Sequence, residues 1–422
     1  MVIGAGFADR YLTSEEISRT VHDGLGTLAV DGKRVLIIIP DGTRTMPMPL
    51  MFDLFERELS SRVAALDYLV ALGTHLLMDD ERLSKLVGRK VVDEKAGKSC
   101  VFNHHWERPE TFATLGVISA KEISEITGGV LEKEITVRMN KMILDYDQII
   151  ICGPVFPHEV VGFSGGNKYF FPGIGGPEII NQTHWTGALM TNYKIIGAGY
   201  TPVRAIIDRA AGMIDRAVAC FALVVTYGGV EGLYFGSAQE AWKAASDLSA
   251  RKHIIYVKKP FKRVLSVMPT LYDDLWTGAK GMYKMEPAVA DGGEVVIYAP
   301  HITEVSYTHG KIIEEIGYHC RDYFLAQWDK FKNYPGSALA HSTHVKGLGT
   351  YDAATGKETP RIQVTLATAI SQERCERINL GYLDPASVNL EEWKGREDEG
   401  ILLVPRAGEM LYRVQESASK AA

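Results

Sequence analysis

Seven stretches of this chain are apolar from end to end instead of alternating. They read RVLIIIPD (Arg34–Asp41), DYLVALG (Asp67–Gly73), QIIICGPV (Gln148–Val155), AVACFALVVTY (Ala217–Tyr227), RVLSVMP (Arg263–Pro269), GEVVIYAP (Gly293–Pro300) and RIQVTLATA (Arg361–Ala369). A strand with one wet face alternates apolar and polar residues; an unbroken run is covered on both faces. Between these runs lie segments with helical spacing, such as Met51–Ala65 and Ser237–Lys252. Strands alternating with helices predict an α/β fold with mainly parallel sheets. A length of 422 residues leaves room for two domains with large cores. The polar stretch YVKKPFK (Tyr256–Lys262) marks a crossing between them. The expected division is an N-terminal cofactor-binding domain over 1–260 and a C-terminal α/β domain over 261–399, with an active-site cleft between them. Residues 400–422 are expected to return to the first domain through a strand pair in GILLVPRAGEMLYRV (Gly400–Val414).

Composition closes off several classes. A net charge of −6 gives no basic field for nucleic acid. No apolar run approaches the ~18 residues of a membrane span, and MVIGAGFADRYLTSEE lacks the pattern of a secretory signal. Cys100, Cys152, Cys220, Cys320 and Cys375 are scattered and form no CxxC pair. These features predict a reducing, cytoplasmic setting without membrane or nucleic-acid partners.

Several motifs fail on inspection. VIGAGFAD and IIGAGYTP lack the third glycine of a dinucleotide fingerprint. GFSGGNKY has Asn167 before the lysine and Tyr169 after it, so it is not a triphosphate loop. HEVVG (His158–Gly162) lacks the second histidine of a zinc-protease helix.

What remains gathers at strand ends, where parallel α/β sheets carry their ligand sites. PDGTR places Asp41, Thr43 and Arg44 after the first run, GTH places His75 after the second, and GPVFPH places His158 after the third. Gly162–Gly176 then surrounds Lys168 with six glycines and four aromatics. An ammonium sits poorly there unless it meets an anion or is not charged. His184 follows in NQTHWTG; His104–His105 reads as surface or supporting residues; HITEVSYTHG and HSTHVKG read as histidine-rich loops.

Together, His158, Gly162–Gly166, Lys168, Pro172–Ile174 and His184, with DGTR and GTH upstream and WTGAKGM (Trp276–Met282) downstream, resemble the nickel-pincer lactate racemase family. The resemblance implies an isomerase that inverts C2 of a 2-hydroxy acid by reversible hydride transfer. It implies a nickel-pincer nucleotide, a pyridinium mononucleotide tethered to Lys168 through a thioamide, with His184 as the protein ligand to nickel. By the same resemblance Ser164, Gly165, Gly166 and Thr43 contact the cofactor and His75 and His158 are the paired bases. Arg44 and Lys280 then orient the substrate, with Asp41 beside them. Cofactor-biosynthesis enzymes are implied partners. The sequence departs from lactate racemases in four places. Thr277 stands where they carry Gln, Gly42 where Asp-His-Thr is usual, Asn167 where Arg is usual, and ALAHSTHVKGLGTYD (Ala338–Asp352) where they carry a tryptophan. This points to a larger, more polar acid (a sugar acid or a dicarboxylic hydroxy acid). Trp276, Thr277, His341, Thr343, His344 and Lys346 would then face its distal part. A lactate racemase proper, a store for the cofactor and a zinc-dependent histidine-site hydrolase are the alternatives.

Overall fold

The computed structural model describes residues 1–415; the tail 416–422, assigned above to completing the first domain, lies outside the described residues. The chain divides into two compact units. The first comprises Met1–Phe156, Phe163–Thr183 and Gly199–Lys252; the second comprises Pro157–Gly162, His184–Ala198 and the chain from His253 onward.

The first unit is built on an eight-stranded sheet. Its order is Ile3–Gly6, Gly229–Gly236, Ala217–Thr226, Gln148–Pro154, Arg34–Ile39, Ala65–Val70, Ser99–Asn103 and Lys95–Ala96. The central strands are parallel, and the outer ones at both edges are antiparallel. Val35 to Ile39 are fully buried, as a strand covered on both faces requires. Helix Met48–Leu59 lays Phe52 against Tyr68, with ring centroids 4.5 Å apart, and Phe55 against Phe221 at 5.4 Å. Burial of each such side chain contributes about 1.5–3 kcal/mol. Helix Ser14–Gly26 starts at a capping box between Thr13 and Glu16, which satisfies two amide groups at its exposed end. The α/β expectation with mainly parallel strands holds. The antiparallel edges were not read, because Gly229–Gly236 carries four glycine-spaced apolar residues that give no period.

The second unit carries a five-stranded parallel sheet in the order Gly381–Tyr382, Gln363–Thr368, Val289–Ala299, Phe261–Val267 and Ile401–Val404. Here the structure differs from the sequence reading. Ile401–Val404 and Leu411–Val414 do not form a hairpin and do not return to the first unit. The former runs parallel to Phe261–Val267 and the latter parallel to Ile254–Val257, both within the second unit. Each closes an otherwise open strand edge, and apolar composition alone does not say which edge a run will close. The unit also begins at His253 and takes in two short stretches from earlier in the chain. Among the described residues no helix is long and apolar enough to cross a membrane.

Candidate active site

In the first unit, strand Arg34–Ile39 stops at Pro40, which has no amide to continue the ladder. The next residue, Asp41, is buried. Its Oδ2 meets His75 Nδ1 at 2.5 Å, while its Oδ1 accepts from the Thr43 hydroxyl at 2.6 Å and the Thr43 amide at 3.0 Å. Arg44 donates to Thr43 Oγ1 at 2.8 Å. Burial pushes the Asp41 carboxyl up. The charges and hydrogen bonds of His75, Arg44 and Thr43 outweigh it and hold the group well below the usual carboxylate range. With Nδ1–H committed to Asp41, His75 presents Nε2 as its basic nitrogen. Trp106 Nε1 donates to the His75 carbonyl at 2.8 Å and fixes the backbone of that turn.

The glycine-rich segment is tied down through its carbonyls. Buried Arg204 donates to Gly165 O at 2.9 Å and to Phe163 O, and Trp242 Nε1 donates to Ser164 O at 2.9 Å. The Arg204 guanidinium lies over the Trp242 ring at 4.4 Å; burial lowers its pKa to about 10. Gly165, at φ +81°, could not accept a side chain: a Cβ there would stand 2.5 Å from Val155 Cγ2. Lys168 sits half-buried on the short turn Gly166–Tyr169 that this rigid loop leads into.

In the second unit, His158 is buried. Its Nδ1 accepts the Val160 amide proton at 3.1 Å and lies 3.4 Å from Glu159 Oε2. Burial raises the Glu159 carboxyl, but His158, Lys280, a backbone hydrogen bond and His344 overcome this and hold it well below its ordinary range. Lys280 is buried, donates to Thr277 O at 3.2 Å and lies over the Tyr272 ring at 4.7 Å. His184, half-buried on helix Pro177–Met190, is electrostatically coupled to His344. Trp276 stacks on His341 at 4.0 Å and 7°, with His309 at 4.4 Å; His341 Nε2 bonds to Trp276 O at 3.0 Å. Burial lowers the pKa of His341 to about 3 and of His344 to about 4, so both imidazoles are neutral near pH 7.

The structure thus brings Asp41, Thr43, Arg44 and His75 together in the first unit. It brings His158, Lys280, Trp276, His341 and His344 together in the second. Several other residues expected to contact a ligand spend their polar groups internally. Ser164 donates its hydroxyl proton to Pro154 O and accepts from the Phe156 amide. The Gly166 amide points at the Cys220 sulfur. Asp274 caps its turn by accepting from the Thr277 amide and hydroxyl, Thr343 donates to Ala340 O, and Lys346 donates to Asn379 O at 2.6 Å. HSTHVKG is not a loop but the second half of helix Gly336–Lys346. His104 is fully buried against Asn140, not at the surface. The sequence reading passed over Glu159, Glu286 and Asn192. Glu159 stood in plain view beside His158, yet a lone acid gives no spacing signal.

The nickel nucleotide implied by the resemblance asks the protein for one amine and one imidazole, its sulfur donors being its own. Lys168 and His184 supply that donor set. Among the described residues no three His, Cys, Asp or Glu side chains stand together as an all-protein metal site. A phosphate would not find the Ser164 or Thr43 hydroxyls open. Space exists instead beyond the two strand ends. A Cβ on Gly73, at φ +59°, would meet nothing within 4 Å, and one on Gly42 would meet only Met78 Cε at 3.8 Å. The residue types the group needs are therefore present, an amine in the first unit and an imidazole in the second, and the backbone at Gly42 and Gly73 leaves the open space that the engaged Ser164 hydroxyl does not.

Comparison with known proteins agrees with this geometry. Residues 14–196 match the lactate racemase N-terminal domain. The lactate racemase of Thermoanaerobacterium thermosaccharolyticum is 24% identical over 300 residues, covering 68% of this chain and 66% of that protein. The lactate racemase of Lactiplantibacillus plantarum is 27% identical over 187 residues, covering 43% of this chain and 40% of that protein. These matches span less than two thirds of either curated relative. A Thermotoga maritima protein of known crystal structure is 33% identical, with a TM-score of 0.90 over 97% of this chain and 100% of that one. The T. thermosaccharolyticum lactate racemase apoprotein superposes with a TM-score of 0.69 at 17% identity, over 97% and 94%, which is a likeness of fold. The strand-end carboxylate and histidines and the glycine loop lie within one matched stretch, and the conclusion follows for that stretch: residues 14–196 belong to the lactate racemase N-terminal domain family.

Proposed function

We propose that this protein is a racemase or epimerase that inverts C2 of a 2-hydroxy acid, with a nickel-pincer nucleotide joined to Lys168 and ligated by His184. The observation that carries the reading is that two histidines each have a carboxylate partner, His75 with Asp41 and His158 with Glu159. Inversion through a planar 2-oxo acid needs a proton taken from the hydroxyl on one face and returned on the other. His75 has its Nδ1–H held by Asp41, so Nε2 is the nitrogen that exchanges. His158 has a partner in both charge states. The Val160 amide serves Nδ1 when the ring is neutral, and Glu159 takes an Nδ1 proton when it is charged. A group that gains and loses a proton in each turnover needs that provision. Arg44 and Lys280 are cations suited to a substrate carboxylate. The bound nucleotide would supply the site that takes up the C2 hydrogen as hydride and returns it.

Thr277 is too short to fill the place of a glutamine, and its hydroxyl is turned to Asp274. Together with polar His341 and His344, this supports a substrate larger and more polar than lactate. A cytoplasmic setting and dependence on cofactor-making enzymes follow from the same reading.

Intact mass under denaturing conditions, on protein coexpressed with cofactor-making enzymes, tests the tether. An adduct mapped to Lys168 with near-stoichiometric nickel is expected. No adduct, where a control racemase from the same host is loaded, would overturn it. Turnover in D2O is expected to leave the C2 hydrogen unexchanged; wash-out of that hydrogen would mean proton abstraction at carbon instead.

A further inference from the structure

A small cavity of about 30 Å³ lies inside the second unit, beside His344. That is room for one group the size of a water molecule or hydroxyl. Thr191, Asn192, Glu286, Arg321 and His344 line it. Three buried polar atoms there have no hydrogen-bond partner among the described residues: Thr191 Oγ1, Asn192 Oδ1 and His344 Nε2. Asn192 and His344 are 4% and 3% exposed. Such orphans are rare in folded proteins, and several around one cavity point to a ligand group.

The backbone agrees. Thr191 is β-branched and holds φ at +71°, a conformation that costs energy and persists where the surroundings impose it. The Asn192 amide is oriented unambiguously. Its Nδ2 donates to Tyr283 O at 3.2 Å and to Glu286 Oε2 at 3.4 Å, so a flipped amide would set oxygen against two oxygens. Asn192 therefore turns an acceptor to the cavity. Glu286 adds a carboxyl that burial pushes up, opposed by the Leu348 amide, Arg361 and Asn192. The Arg321 guanidinium is engaged by Leu189 O and Asp322. The lining thus offers the Asn192 carbonyl and the Glu286 carboxyl as acceptors, with one hydroxyl, one neutral imidazole and the Asp322-paired Arg321 beside them.

We infer that this cavity is a specificity subsite for a hydroxyl group on the distal part of the substrate, with Thr191, Asn192 and His344 as the residues that read it. The inference rests on the 2-hydroxy acid reading above and decides a point that reading leaves open. A hydroxyl donates to Asn192 Oδ1 and accepts from the Thr191 hydroxyl or His344. A second carboxylate has no proton to give and would face Glu286 and Asn192 Oδ1 across a space that fits one polar group. A methyl group leaves all three atoms unpaired, and sites built for a hydroxyl reject analogues lacking it. Polyhydroxy acids are therefore favoured over dicarboxylic hydroxy acids and over lactate.

The test is calorimetric binding of gluconate, malate and lactate to protein coexpressed with the cofactor-making enzymes, in the wild type and in Thr191→Val. Valine keeps the β-branch and the backbone demand while removing only the hydroxyl. His344→Leu is the second variant, and circular dichroism verifies that each is folded. Wild type is expected to bind gluconate at least tenfold more tightly than malate or lactate. Each variant is expected to lose about tenfold for gluconate and less than twofold for lactate. Unchanged gluconate binding in both variants would overturn the subsite while leaving the 2-hydroxy acid reading intact. Malate bound more tightly than gluconate would overturn the choice of hydroxyl. If none of the three acids binds wild type, the reading beneath falls and the subsite with it.

Discussion

Asp41 Oδ2 and His75 Nδ1 stand 2.5 Å apart, and the same carboxylate holds Thr43 with its other oxygen. One buried acid therefore sets both the tautomer of a histidine and the shape of the turn that carries Arg44. Asp41→Asn keeps the shape but offers an amide that can donate to Nδ1 and reverse the tautomer. We expect turnover of the cofactor-loaded protein to fall about 100-fold or more, with substrate KM changed less than threefold. Because Asp41 is held well below the ordinary carboxylate range, it stays ionised across the working pH range, and the acid limb of the wild-type profile will not report it. A loss of less than about fivefold would remove Asp41 from the mechanism.

Glu159 supports His158 through charge and proximity. Glu159→Gln is expected to lower turnover by about 10- to 100-fold. Adduct formation at Lys168 is expected to be unchanged in the same preparation, since Glu159 and Lys168 belong to different units. Loss of the adduct alongside the activity would show a structural role instead.

Arg204 binds the carbonyls of Phe163 and Gly165 from a fully buried position. Arg204→Met keeps much of the volume and strands those carbonyls. The expected cost is about 2–4 kcal/mol of stability, read by urea denaturation. The looser loop is also expected to reduce the mass adduct at Lys168, although Lys168 itself is untouched. A stable variant with full adduct would mean the loop does not need its anchor.

His104 is buried neutral against Asn140, and burial lowers its pKa to about 4. An unfolded histidine titrates near 6.5. Between about pH 6.5 and 4 the unfolded chain takes up a proton at this position that the folded chain refuses. Stability therefore falls as pH drops through that window, by about 1.4 kcal/mol per pH unit for this group. His104→Gln is expected to flatten the slope of unfolding free energy against pH by that amount. An unchanged slope would show that His104 titrates alike in both states.

How much of this was legible in the sequence depends on which force wrote each part. The parallel core strands were legible because burial on both faces forces unbroken apolar runs, as in Val35–Ile39. Asp41, His75 and His158 were legible because each follows such a run at its carboxyl end. The polar commitments were not: nothing in GFSGG shows that the Ser164 proton goes to Pro154 O, or that Arg204, 40 residues further on, anchors the loop. Those bonds depend on distant residues meeting, and a single chain read in order carries no record of that. HSTHVKG misled for a related reason. Its helix is buried on nearly every side, so it lacks the one-sided apolar stripe by which helices are read.

The parallel pairing of Ile254–Val257 with Leu411–Val414 joins nearly the first and nearly the last strand of the second unit's main segment. During synthesis His158 and His184 emerge early, yet the unit they belong to cannot close until residue 414 has left the ribosome. Both histidines must wait through the synthesis of more than two hundred further residues. A truncation just short of Leu411 would thus damage residues more than two hundred positions upstream, and cutting the gene at residue 252 would not yield two independent halves.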